Sequence, residues 1–181
     1  MSEKYKFQDP EALYFTTSTI VHWIDLFTRR EIRHIIINSL KDCQKRKGLV
    51  IHAWVLMPSH LHMIISSRDK LLSEILRDFK KFTSRKIVQE IENINESRRE
   101  WLLRAFTKAG RELKRISEYK VWEDGNHPIL LDNSILQQEK LDYIHHNPVE
   151  AEFVDEPKYY WCSSARDYIG KKGLIDVELI E

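Results

Sequence analysis

One sixteen-residue stretch, Val50 to Ile65, constrains the fold of this chain more than any other. It is apolar and rich in strand-forming residues, and it is broken only by histidines and by Pro58-Ser59 at its centre. That pattern reads as two short strands meeting at a turn. On a strand, residues two apart point to the same face. His60 and His62 therefore project side by side from a rigid sheet, as a metal site requires. Tyr143 and Asn147 stand one turn apart on a predicted helix and also share a face. Two histidines, a carboxamide and a tyrosine are a donor set suited to metal-assisted phosphoryl transfer. Two imidazoles make an incomplete site, and the third ligand is open among Asn147, His145 and His146, with Glu123 and Asp124 behind them.

The flanking pattern sets the fold class. Ala12 to Val21 is apolar, aromatic and β-branched, as a first strand should be. Thr28 and Glu31 have the spacing of a capping box, after which Ile32, Ile35, Ile36 and Leu40 form one face of a helix that Gly48 ends. Ser73 is the expected cap of a second helix running to about Ile91. The charged stretch from Glu90 to Lys114 reads as helix or insertion. A short strand is expected over Tyr119–Trp122, closed by Glu123-Asp124-Gly125-Asn126, with His127–Leu131 pairing back or leading onward. Asn133 or Ser134 caps a last helix, which Pro148 should stop at about His146. The order predicts an α+β domain, a ferredoxin-like or RRM-like antiparallel sheet with helices packed mainly on one face and the histidine hairpin at its centre. One domain is expected over residues 1–181, with its core at about 12–170.

Composition narrows the function classes. The chain has 181 residues and a hydrophobic fraction of 42%, enough for a real core. No apolar run is as long as a membrane span and Met1–Lys6 lacks a secretory apolar region, so the cytoplasm is expected. Cys43 and Cys162 form no CxxC pair. The net charge of +1 conceals an uneven distribution: Arg98–Arg115 holds seven basic and two acidic residues, whereas Ile116 to the C-terminus holds six basic and fourteen acidic. The basic middle is either a solvated helix face or a phosphate-binding surface. Neither a P-loop, a Gly-rich dinucleotide turn nor a Gly-x-Ser-x-Gly elbow is present, so the sequence does not support energy-coupled or acyl-transfer chemistry.

Four motifs occur in order: Met57-Pro58-Ser59-His60-Leu61-His62, Phe79-Lys80-Lys81-Phe82-Thr83-Ser84, Val121-Trp122-Glu123, and Tyr143-Ile144-His145-His146-Asn147-Pro148-Val149-Glu150-Ala151. Together they resemble the one-tyrosine HUH transposases of bacterial insertion sequences, especially the REP-associated branch, over roughly Tyr14 to Tyr168. The resemblance implies that His60 and His62 hold a divalent metal, Mg²⁺ or Mn²⁺, with Asn147 as third ligand. It implies that Tyr143 attacks a phosphate of single-stranded DNA at a hairpin, leaving a 5′-phosphotyrosine link and a free 3′-hydroxyl, and that reversal rejoins strands without ATP. Imidazole ligands favour Mn²⁺ or another transition metal in vitro. Lys80, Lys81 and Arg85 are the candidate DNA-backbone contacts, and Trp122 or Trp54 could stack on bases, though core packing suits both. A homodimer is possible, with the tyrosine helix supplied in cis or in trans.

The chain departs from the family pattern at Ser59, where asparagine is common, at Glu152, where glycine is usual, and at Trp161-Cys162, where the aromatic sits one place early. None of these removes the catalytic set. Two other functions fit the residues. One is a DNA- or RNA-hairpin-binding module without chemistry. The other is a nuclease using His145-His146-Asn147 and water.

Overall fold

The computed structural model describes residue 7, residues 9–111 and residues 119–180. Its elements follow in the order β1 (Tyr14–Thr19), α1 (Arg30–Lys47), β2 (Leu49–Leu56), β3 (His60–Ser67), α2 (Leu72–Asn93), α3 (Arg99–Arg111), β4 (Ile129–Leu130) and α4 (Ser134–Glu150). The four strands form one antiparallel sheet in the order β2-β3-β1-β4. This is the ferredoxin-like arrangement, and the histidine strand β3 lies inside it between β2 and β1.

Alternation along the central strands separates two cores. Leu61, Met63 and Ile65 point with Tyr14, Trp54 and Leu56 into the larger core, which α1, α2 and α3 cover with Ile32, Ile36, Leu40, Leu76, Phe79, Leu102 and Phe106. The opposite face carries Phe15, Ala53, Val55, Met57 and Ile64, and α4 closes over it with Leu141 and Ile144. Three helices therefore share one face and the fourth crosses the other. His60 and His62 belong to the face under α4, because they alternate with Leu61 and Met63.

The β2–β3 connection is held from both sides. Met57 N–H donates to His60 O at 2.9 Å, Phe27 N–H to Pro58 O at 2.8 Å and Ile20 N–H to Ser59 O at 2.9 Å. A bulge at His52 shifts the β2–β3 register between Ile51 and Ala53. The C-terminal segment covers the outer edge of β2: Leu56 N–H donates to Cys162 O, Glu178 N–H donates to Ile51 O, and the Tyr160 hydroxyl donates to Leu56 O. That cover blocks an edge otherwise open to pairing with another chain.

Several local expectations are corrected. Thr28 does not cap α1; its hydroxyl donates to Asp25 O, and Arg29 occupies the N-cap without a side-chain bond. Ser73 lies inside α2, whose N-cap is Leu71. In both helices the buried apolar stripe fixes the boundary more strongly than a hydroxyl can. Gly48 does end α1, in the left-handed conformation with φ 72°. The charged stretch after Glu90 contains the end of α2 and then α3, whose apolar side buries Leu102 and Phe106. Residues 112–118, at the end of that stretch, lie outside the described residues.

The segment 121–131 does not pair with itself. Both of its halves run along β1, through the Ile20–Trp122 bridge, Glu123 N–H to Thr19 O, Thr17 N–H to Asn126 O, and β4. Asn133 caps α4 as expected, accepting from Leu136 N–H at 2.9 Å. Pro148, however, lies within α4. In the final turn a proline removes a single N–H, and the chain closes beyond it through Ala151 N–H to Asn147 O and Phe153 N–H to Pro148 O. Glu152 then takes φ 57°.

Candidate active site

Four rings follow one another across the sheet face under α4. The ring centres of His60 and His62 are 4.6 Å apart, and that of Tyr143 on α4 is 5.2 Å from His62. The Tyr143 hydroxyl lies 3.4 Å from His62 Nε2. At the other end Trp23 packs edge-to-face on His60, with 5.4 Å between ring centres. Asn147, one turn after Tyr143, stands beside the His60 side chain and raises its pKa, against the larger lowering by burial. The structure thus brings His60, His62, Tyr143 and Asn147 together from one strand and one helix.

The outer nitrogen of each imidazole is tied by a hydroxyl. Thr17, the register partner of His62 on β1, places Oγ1 2.9 Å from His62 Nδ1. Ser59 places Oγ 3.1 Å from His60 Nδ1. Such contacts orient a metal-binding imidazole and select its tautomer, leaving Nε2 for the ligand. Burial lowers the pKa of both rings, that of His62 to about 3, with His60 lowering it further. Both are therefore neutral at neutral pH, the form that binds a metal. Phe15 stacks on His62 and meets Tyr143 edge-on, forming the apolar floor.

The donor set fits a divalent cation. Among the described residues, no group of three or more histidines, cysteines or carboxylates converges. Among the sequence candidates for a third donor, the Asn147 carboxamide is the one that stands beside the histidine pair. The other sequence candidates lie elsewhere. His145 is buried, with Nε2 2.9 Å from Ser164 Oγ and its ring against Tyr168. His146 is exposed and bonds Asp142 O through Nδ1. Glu123 and Asp124 face Lys120. The continuous helix through His145-His146-Asn147 splits these residues between faces and excludes them as one metal-binding cluster.

The basic candidates divide. Lys81 and Arg85 are exposed on α2, beside a groove of about 810 Å³ between α2 and residues 119–126. Lys80 lines the same groove, but its ammonium donates to the carbonyls of Glu123 and Gly125, and burial lowers its pKa to about 8. Its charge is committed to holding the edge segment. Trp54 and Trp122 are core residues, 0% and 4% exposed. Trp122 Nε1–H donates to Thr83 Oγ1 at 2.9 Å.

Two residues of the site escape the sequence reading. Lys140, one turn before Tyr143, places Nζ 5.8 Å from the Tyr143 ring centre and 5.7 Å from that of Phe15. Its i, i+3 spacing on the same helix as Tyr143 is the available signal. Trp23 is the other, and no residue pattern marks it.

Comparison with known proteins agrees with this fold. The model of the "Transposase IS200 like" family matches residues 20–124, a span containing both histidines. A search of curated proteins returned no match. Among solved structures, a REP-associated tyrosine transposase bound to a REP hairpin is similar in fold, with a TM-score of 0.60 and 22% identity over 100% of this chain and 94% of the other.

Proposed function

We propose a reaction for this chain, which belongs to the family of IS200-like transposases: metal-dependent cleavage and rejoining of single-stranded DNA at hairpins through a 5′-phosphotyrosine intermediate. The observation that carries it is the Tyr143 hydroxyl, 3.4 Å from Nε2 of a buried, neutral histidine that is paired with a second. A hydroxyl so placed is a nucleophile beside a metal-binding pair.

In the proposed step, Tyr143 Oη forms a bond to phosphorus as the bond from phosphorus to the 3′-oxygen breaks. The phenol loses its proton and the departing oxygen gains one. The phosphodiester energy is kept in the tyrosine ester, so attack by another 3′-hydroxyl rejoins strands without ATP. His60, His62 and Asn147 would hold Mg²⁺ or Mn²⁺. A bound cation would polarise the nonbridging phosphate oxygens and stabilise the departing oxygen. Lys140 adds positive potential at the Tyr143 ring, and Phe15 excludes water from one side of the phenol. Lys81 and Arg85 offer phosphate contacts along the α2 groove. The packing of α4 over the histidine face, with Tyr143 reaching His62, supports a site completed in cis.

The test is cleavage of labelled single-stranded hairpin oligonucleotides, with and without Mn²⁺, read on a denaturing gel. Wild type should give a metal-dependent protein–DNA adduct. Tyr143→Phe should bind the hairpin and form none. His60→Ala with His62→Ala should lose the metal-dependent cleavage. Cleavage that survives Tyr143→Phe without an attached protein would instead make water the nucleophile.

A further inference from the structure

Trp23 is 63% exposed, yet the backbone that presents it is strained. His22 and Trp23 both lie in the left-handed region, at φ 57° and φ 55°. That is an uncommon conformation for residues other than glycine, and bulky side chains are least suited to it. Two in succession persist only where the surroundings over-determine them. Here the segment is fixed on one side by Val21 N–H to Val121 O and His22 N–H to Glu123 Oε1, and on the other by Ile20 N–H to Ser59 O and Phe27 N–H to Pro58 O. These bonds tie the Trp23 turn to the β2–β3 connection that carries His60. An indole this exposed buries little, so core packing does not account for the strain. What the turn achieves is to hold a large open ring against His60, a ligand in the proposed metal site.

We propose that Trp23 is a base-stacking platform for single-stranded DNA, and that it takes the base of the nucleotide immediately 5′ of the cleaved phosphate. The inference rests on the transposase reading above and adds a substrate contact to it. Stacking suits any base, because each has a π-face, and it needs an aromatic ring open on one side. The placement follows from the succession of rings: Trp23 touches His60, His60 touches His62, and His62 touches Tyr143. In an in-line displacement the nucleophile and the departing oxygen lie on opposite sides of the phosphorus. With a phosphate held at the histidines and Tyr143 attacking from one end, the departing 3′-oxygen faces the Trp23 end. The base borne by that departing nucleotide is the one within reach of the indole.

The experiment measures fluorescence-anisotropy affinities in the Tyr143→Phe background, where no covalent capture intervenes. The probes are a hairpin with a single-stranded flank spanning the mapped cleavage position and the same hairpin without the flank. Trp23→Ala should weaken binding of the flanked hairpin about tenfold and leave the blunt hairpin unchanged, while Trp23→Phe keeps most of the affinity. An abasic nucleotide just 5′ of the cleavage position should remove the difference between the parent and the Trp23→Ala variant. Trp23→Gly separates function from folding: glycine relieves the positive φ, so its melting temperature should match or exceed that of the parent while flanked-hairpin affinity falls as it does for alanine.

Equal affinity of the parent and the Trp23→Ala variant for the flanked hairpin overturns the proposal. So does a loss shared by both hairpins, or a glycine variant of lower melting temperature, either of which makes the residue structural. A tryptophan effect that survives the abasic substitution overturns the placement. If the parent binds neither hairpin, the transposase reading fails and the platform fails with it. Unchanged DNA binding together with altered self-association would make Trp23 a protein contact instead.

Discussion

Thr17→Val tests how the proposed site is tuned while leaving His60, His62, Asn147 and Tyr143 in place. Neutral His62 has two tautomers, and only the one with its proton on Nδ1 leaves the Nε2 lone pair for a metal. Thr17 Oγ1, at 2.9 Å, can accept that Nδ1 proton; valine has the same shape and cannot. His62 is 5% exposed, so water is poorly placed to substitute. Leaving a buried N–H unpaired costs about 1–3 kcal/mol, roughly 5- to 150-fold in an equilibrium constant. Removing an outer hydrogen-bond partner of a metal-binding histidine usually costs about 10- to 100-fold in affinity or activity. Valine suits a strand at least as well as threonine, so β1 should be kept. In a Mn²⁺ titration of hairpin cleavage, the half-maximal concentration should rise about 10- to 100-fold. Cleavage at saturating metal should recover most of its rate, and Thr17→Ser should restore the wild-type curve. A Thr17→Val protein with wild-type melting temperature and an unchanged half-maximal concentration would refute this account of His62.

Three further outcomes follow from the geometry. Glu152→Gly removes a residue at φ 57° and should stabilise the fold by about 0.5–1 kcal/mol, raising the melting temperature by about 1–4 °C; a lower value would mean that the Glu152 side chain contributes more than its backbone costs. Glu96 is buried, and its carboxyl is held down to about 2, first by its hydrogen bond to Arg29 and then by Arg98. A carboxylate depressed in this way stabilises the fold above its ordinary value of 4.5 and loses that contribution as pH falls toward about 2. Glu96→Gln should therefore cost about 2–3 kcal/mol at pH 7 and flatten the loss of stability across that acid window, as urea melts at several pH values would show. Lys81→Ala with Arg85→Ala should weaken hairpin binding and reduce the salt slope by about 1–2; an unchanged slope would remove α2 from the DNA surface.

The parts of the site legible in the sequence are those governed by local periodicity. The two-residue repeat of a strand sends His60 and His62 to one face wherever β3 lies, and the helix repeat does the same for Tyr143 and Asn147. The apolar stripes around Ile32 and Leu76 likewise place α1 and α2 on the larger core. The remainder depends on contacts distant in sequence. Whether residues 121–131 fold back on themselves or pair with β1 is decided by the open edge of β1, not by the turn residues between them. Lys80 reads as a DNA contact by composition, but two carbonyls some forty residues later claim its ammonium. Trp23 is invisible in the sequence because nothing in His22-Trp23 announces a left-handed backbone; hydrogen bonds to Ser59 and Pro58 on one side and to Val121 and Glu123 on the other impose it. Among the described residues, no helix is long and apolar enough to cross a membrane.

The most direct measurement is the identity of the residue that carries the nucleotide after cleavage. Wild type incubated with a hairpin oligonucleotide and Mn²⁺, digested with nuclease and protease, should yield one modified peptide by mass spectrometry, with the nucleotide on Tyr143. A nucleotide on Tyr159, Tyr160 or Tyr168, or cleaved DNA with no modified peptide, would contradict the account.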